Sequence, residues 1–287
     1  MMNSYQESLS TQKKDAISTK NSAASSYEEY QQGKRTRIAK KMTIAAFIGL
    51  IAVWSWIDTG FSILSIWGGL SNIFSFVFFD MFPPDLTVFK KFLGPALDSL
   101  YMSIVGVVIA MVFSIAFGFM AATTTSIHPI AAHVFTAIIS FLRSVPALVL
   151  GMFFVVTFGM GTFAGALALG ISGIGILGKA YKENLEEINR GQVEALKATG
   201  ASWLQIAGQA IWPQFKPGFV SWTLYKMDIN IREASILGMI GAGGIGYALQ
   251  FSVDLFRYQQ AATAILLIFI LIIIVEFITL KLREYIL

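Results

Sequence analysis

The sequence predicts an all-α integral membrane protein with about six spanning helices, and three observations carry that expectation. Of 287 residues, 55% are hydrophobic and only 13% charged, about half the charged share of a soluble domain. Apolar runs recur at about the 20-residue length that crosses a bilayer. Lys and Arg gather in alternate connections between those runs, the asymmetry that orients membrane helices.

The elements follow in chain order. Residues 1–41 are polar, rich in Ser, Lys, Gln and Glu, and lack the apolar centre of a secretory leader. They read as a disordered cytoplasmic tail. Its end carries the basic cluster Lys34, Arg35, Arg37, Lys40 and Lys41. Residues 42–57 are the first span. Residues 60–95 are aromatic and Gly-rich and are expected to lie externally at the interface, with a second spanning helix as the competing reading. Further spans are expected at 100–122, 132–158, 163–178, 218–240 and 261–280. The uncharged run 144–178 is divided at Gly159–Thr162, because as one helix it would measure about 50 Å.

An even number of spans puts both termini on one side. With the N-terminus inside, the external connections hold only Lys90, Lys91 and Arg257, so that orientation is expected. The net charge of +4 is thereby a topology signal, and no nucleic-acid partner is expected. Cysteine is absent and only His128 and His133 are present, so neither a disulfide nor a metal site is expected.

The stretch EALKATGASWLQIAGQAIWP, 194–213, is a long polar excursion in this apolar chain. Leu185, Ile188, Val193 and Leu196 have helical spacing. Gly200 can end that helix in a left-handed conformation. Ser202 can cap a second helix over 202–211, and Pro213 and Pro217 are expected to end it. The result is a cytoplasmic helix-turn-helix within 181–217.

These residues resemble the EAA motif of ABC-importer permeases: Glu-Ala-Ala, three residues, Gly, nine residues, then Ile-x-Leu-Pro. Glu194, Ala195, Gly200 and Pro213 match it; Leu196, Ala210 and Trp212 depart from it but keep small or apolar character. RSVP at 143–146, GQVEALKATGAS and NIREASILGMIGAGGIG resemble the phosphonate-type permease branch. The likeness covers roughly 95–285. It implies a type I importer fold, with residues 96–287 as permease core. It also implies that Glu194, Ala195, Leu196, Gly200, Ala201 and Pro213 form a coupling helix docked on a separate ATPase, with ATP and Mg held there and no cofactor in this chain. A second permease copy, an external substrate-binding protein and a bacterial plasma membrane complete the implied setting. The implied cargo is phosphonate, phosphite or a related oxyanion. Import of methionine or another amino acid is the rival within transport, since methionine-type permeases share a GAGG(I/L)G segment. A membrane scaffold or embedded enzyme is the distant rival.

Two nucleotide-like motifs do not serve that role. GAGGIG, 241–246, spells G-x-G-x-x-G, but no acidic residue stands about 20 positions later in a suitable place. Gly241, Gly243, Gly244 and Gly246 instead read as a tight outer turn or gate. GIGILGKA, 173–180, ends in Ala180 where a P-loop needs Ser or Thr for Mg²⁺.

The polar chemistry lies in KMDINIRE, 226–233. A charge at mid-membrane costs about 2.5–3.5 kcal/mol, so this span is expected inside the bundle or at a dimer axis. Asp228 and Arg232, four apart, are expected to pair, with Lys226, Asn230 and Glu233 on the opposite face. Asn230, Arg232, Asp228 and Glu233 form the expected substrate pathway, the alternative being a structural ion-pair network. Ser144 joins the pathway as a kink beside Pro146, and Arg143 is expected to snorkel to the interface. No residues converge as nucleophile, acid and base, so no catalytic role is expected.

Overall fold

The structure, a computed structural model, describes residue 34, residues 37–38, and residues 40–60 and 62–286. The tail expected over 1–41 therefore lies almost wholly outside the described residues. Among them no strand occurs. Contacts divide the chain into two units between Ile73 and Phe74.

In the first unit α1 runs Lys40–Asp58, with none of its apolar window buried. A helix apolar on every side belongs in lipid. It closes where the Thr59 N–H donates to Ser55 O at 3.0 Å and Gly60 turns left-handed at φ +61°. α2, Ile63–Ser75, starts in this unit and continues through a π-helical turn, Phe76–Met81. The stretch Leu64–Met81 is a helix long and apolar enough to cross a membrane. The sequence favoured an interfacial segment here; the unbroken helix favours a second spanning one.

In the second unit Asp85 caps a short 3-10 turn, Leu86–Val88, by accepting from the Thr87 N–H. α3, Phe89–Ala121, follows. Its 33 residues measure about 50 Å. α4 is Pro129–Ser144, begun by His128, whose side chain accepts from the Ile130 N–H, with Pro129 in the first turn where no donor is needed. α5 is Ala147–Phe158 and α6 Thr162–Glu186. Two short helices come next, α7 Arg190–Ala198 and α8 Trp203–Ile206. A π turn, Ala207–Ile211, then feeds directly into α9, Trp212–Leu237. α10, Gly244–Asp254, and α11, Tyr258–Ile286, complete the unit.

α6 is the centre: 72% of its apolar window is buried, against 28% for α11. It packs on α3, α4, α5 and α9. The α3–α6 seam is made of small residues. A side chain at Gly106 would come within 2.7 Å of Leu169 Cβ, and one at Gly173 within 2.6 Å of Ala110 Cβ. Lipid supplies no hydrophobic drive between helices, so such close backbone approach does the holding.

Two sequence expectations change here. The run 132–158 is not one helix: α4 and α5 meet at 83°. Pro146 is the reason, since it denies the helix a donor and holds Val145 extended at φ −89°, ψ 117°. Pro213 and Pro217 do not end a helix either. Pro213 sits in the first turn of α9, just after the π turn, and Pro217 lies within it.

Candidate functional site

The first part of the site is the polar segment between α6 and α9. Asn189 caps α7 by accepting from the Gly191 N–H at 2.9 Å. α7 stops at Gly200, φ +78°, where its N–H donates to Lys197 O at 3.0 Å. Only glycine takes that conformation without penalty. The Ser202 N–H then donates to Gln205 Oε1 at 2.8 Å, opening α8. Gln214 ties the segment's two ends together. It accepts from the Asn189 N–H at 3.0 Å and donates to Gln192 Oε1 at 2.9 Å and Ala210 O at 2.7 Å.

The segment has one face in the protein. Ile188, Ile206, Ala210 and Ile211 are buried with Leu177, Tyr181, Leu185 and Phe215, and Val193, Leu196 and Ala201 pack on that cluster. Glu194, Ala195, Gly200 and Pro213 are exposed. So are Trp203 and Leu204, at 57% and 76%. Sequence reasoning passed over this pair; two large apolar residues right after the N-cap of a four-residue helix were the available signal. Glu194 also lines a cavity of about 210 Å³ with Thr123, Arg190 and Lys197.

The second part lies along α9. Lys226 is fully buried and its Nζ donates to Glu233 Oε2 at 2.9 Å. Its stem fits because Gly173 has no side chain; a Cβ there would stand 3.2 Å from Lys226 Cε. Asn230 is fully buried, and its Nδ2 donates to Ser103 O at 3.2 Å. Its Oδ1 has no partner among the described residues. The expected Asp228–Arg232 ion pair does not form. Asp228 Oδ1 accepts instead from Thr279 Oγ1 of α11 at 2.8 Å. A neighbouring hydroxyl at good geometry replaces the exposed i,i+4 pair, and Arg232 stays exposed. The structure thus brings together Lys226, Asn230 and Glu233, on the face the sequence assigned them.

The glycine turn joins α9 to α10. Gly241, Gly243 and Gly244 have φ of +98°, +79° and +73°. Gly241 O accepts from the Gly161 N–H at 3.1 Å, and Ser99 Oγ accepts from the Ile245 N–H at 2.9 Å. A Cβ on Gly246 would run into Ser235 O. This turn lies at the end of α9 opposite the α7–α8 segment. Ser144 is elsewhere: it ends α4 at the bend, its Oγ donating to Phe141 O at 2.7 Å. With Arg143 it lines an open cavity that includes none of Asn230, Asp228, Arg232 or Glu233.

Comparison with known proteins agrees with this architecture. Residues 114–284 match the family described as binding-protein-dependent transport system inner membrane component. The phosphite transport system permease protein PtxC of Stutzerimonas stutzeri is 34% identical over 242 residues, covering 84% of this chain and 88% of that protein. The phosphate-import permease protein PhnE of Mycolicibacterium smegmatis is 33% identical over 207 residues, 72% of this chain and 39% of that longer protein. Among solved structures, an inward-facing MetNI methionine ABC transporter matches with a TM-score of 0.61 at 22% identity, over 68% of this chain and 96% of the other. That likeness establishes the fold of a type I ABC importer permease. A match over 171 consecutive positions, from 114 to 284, together with the helical fold, establishes that the chain belongs to the binding-protein-dependent inner-membrane transport components, the permease subunits of ABC transporters.

Proposed function

We propose that this chain is the membrane half of an ATP-driven importer for phosphite, phosphonate or a related phosphorus oxyanion. The observation that carries the cargo assignment is the 34% identity to a phosphite permease across 84% of the chain. Methionine permeases align more weakly, at 26% over 147 residues, and support the shared fold rather than the cargo.

In this reading the N-terminus and the α7–α8 segment face the cytoplasm, as the Lys and Arg distribution favours. The exposed residues Glu194, Ala195, Gly200, Trp203, Leu204 and Pro213 offer the docking face for an ATPase subunit, which holds ATP and Mg. The buried side of the segment ties it to α6 and α9, so a partner's motion would reach the bundle. Leu196 and Ala201 belong to that anchoring side. The Gly241–Gly246 turn and the 159–162 turn would face the binding protein outside.

A second copy would complete the pathway. Trp222, Tyr225, Arg232 and Ile236 form an exposed stripe on α9, spaced as one helical face. A stripe with an arginine near its middle is costly against lipid and suits a water-lined axis between two permeases. Arg232 there offers several fixed donors to an anion, with Asn230 and Glu233 on the other face of the same helix.

The test is reconstitution in proteoliposomes with the cognate ATPase and binding protein. Labelled phosphite should accumulate with ATP hydrolysis, and Arg232→Gln should cut accumulation while the complex still assembles. Accumulation of methionine in place of phosphite would overturn the oxyanion assignment. Loss of assembly in Arg232→Gln would make that residue structural.

A further inference from the structure

We propose that the open cavity at the α4–α5 bend is a binding site for a phosphorus oxyanion. It has a volume of about 540 Å³ and draws its polar walls from three helices: Ser140, Arg143 and Ser144 of α4, Lys179 and Glu183 of α6, and Trp222 of α9.

The donor count is what selects an anion. The Arg143 guanidinium makes no ion pair or hydrogen bond among the described residues, which leaves all five of its N–H donors for a ligand. Lys179 Nζ stands 3.4 Å from Glu183 Oε1, with the two side chains 44% and 56% exposed. A pair so exposed is weak, and the ammonium keeps donors to spare. The Trp222 indole and the Ser140 hydroxyl add two more. Against these stands one carboxylate, Glu183. The carbonyls that end α4 have the wrong sign for an anion, and two fixed cations outweigh them. A phosphorus oxyanion presents several oxygens at the spacing an Arg fork accepts.

The backbone holds the site ready. The 83° bend turns α5 away from α4. Gly175 of α6 lies directly against the α4 backbone: a Cβ there would meet the Arg143 N and lie 2.7 Å from its Cα. That packing fixes the Cα from which the Arg143 side chain reaches the cavity wall. Lys179 and Glu183 lie in the last turns of α6, so the cavity sits toward the end that carries α7. Trp222 shares the exposed α9 stripe with Arg232, which links the cavity to that face.

The same chemistry has two sources. One is cargo leaving along the α9 stripe, a source that rests on the oxyanion reading above. The other is the phosphate of an anionic lipid headgroup at the membrane surface.

The test uses the full-length permease in phosphatidylcholine nanodiscs, with intrinsic fluorescence as readout. Sodium phosphite should give a saturable change that sodium chloride at equal ionic strength does not, and that Trp222→Phe removes. Arg143→Gln and Lys179→Gln should each weaken it at least about tenfold, the loss expected for one charged hydrogen bond. Both side chains are exposed, so these variants should melt like the parent. A second arm adds phosphatidylglycerol to the discs without phosphite. The same Trp222-dependent change there supports the cavity with the headgroup as occupant; its absence, beside a phosphite response, supports it with the free oxyanion. No saturable change in either arm, or variants that respond like the parent, would overturn the proposal. Phosphite uptake by the reconstituted complex reads the transport assignment separately. Uptake with no Arg143-dependent binding sinks the cavity alone, and binding without uptake sinks the transport assignment alone.

Discussion

Replacing Glu233 with Gln should destabilise the bundle more than removing both members of its ion pair. Lys226 is fully buried and Glu233 Oε2 is 2.9 Å from its Nζ. At an effective dielectric of about 20, two unit charges at that distance attract by about 6 kcal/mol, an upper bound before desolvation. Breaking a buried pair in soluble proteins costs about 3–5 kcal/mol, because one charge is left uncompensated. The Glu233 side chain is 28% exposed, so water takes over part of its role, and the loss for Glu233→Gln should be about 2–3 kcal/mol. On the scale of globular domains of similar size that lowers Tm by about 4–12 °C. The double variant Lys226→Met/Glu233→Gln removes both charges and keeps an unbranched stem in the slot beside Gly173. It should recover to within about 1 kcal/mol of the parent. Thermal melts of the four proteins in one detergent form the cycle. A Glu233→Gln melt unchanged from the parent, or a double variant as unstable as the summed singles, would refute the claim that Glu233 neutralises Lys226.

Three further outcomes are expected. Gly200→Val forces a β-branched residue into a φ of +78°, a strain of about 1–2 kcal/mol; stimulated ATP hydrolysis by the reconstituted complex should fall sharply while the helical content is kept. Gly246→Ala should lower the melting temperature, since its Cβ meets Ser235 O and stands 3.0 Å from Gly238 Cα, an overpacking of about 1–3 kcal/mol; Gly208→Ala, with nothing within 4 Å, should melt like the parent. Asp85 is held below its usual 3.8 chiefly by the hydrogen bonds from Thr87. A carboxylate depressed in the folded state stabilises above its unfolded value and loses that contribution as the pH falls through the folded one. Protection of the Thr87 amide from hydrogen exchange should therefore hold above about pH 4 and decline below it, and Asp85→Asn should remove that pH dependence.

Much of the architecture was legible because lipid imposes a simple code. Apolar runs at 163–178 and 261–280 fall inside helices of the structure, the run 100–122 does so up to Ala121, and the charged residues of 226–233 fall in a helix packed against others. Gly200 and Ser202 also announced the helix-turn-helix by backbone chemistry alone. Pro146 announced a kink beside Ser144 but not its size, because hydropathy reads 132–158 as one span and says nothing of the 83° bend within it. Hydropathy carries no direction, so only the proline marked the break. The prolines at 213 and 217 gave the opposite error. Proline starts a helix as readily as it stops one, and the choice rests on the π turn upstream, which shifts the hydrogen-bond register before Pro213. The partner of Asp228 was illegible for another reason. Spacing along α9 offers Arg232, but the structure pairs Asp228 with Thr279, 51 residues away, and that juxtaposition exists only after α11 has docked.

The placement of polar groups along α9 ties the two parts of the site into one mechanical body. From Trp203 to Ile240 the chain runs on as helix, with a π turn at either end of α9; it leaves helical backbone at Gly241, φ +98°, and bends by 56° into α10. α9 alone has 26 residues, a rod of about 39 Å. Its lower end is clamped: Phe215 is fully buried against Tyr181, and the Tyr181 and Thr223 hydroxyls are 2.6 Å apart. Its upper end is fixed by glycines whose backbones touch, with Gly246 against Ser235. Packed interiors are stiff and do not absorb displacement locally. A tilt applied at Trp203 and Leu204 must therefore move Lys226, Asn230 and Arg232 together with the glycine turn, or else break the packing of α9 on α6. The unsatisfied Asn230 Oδ1 sits in the half of this rod nearer the glycine turn, where a change of neighbours on tilting would alter its hydrogen bonding. Under the proposed docking of an ATPase at the α7–α8 segment, this rod is the physical route by which that segment would act on the polar side chains of the interior.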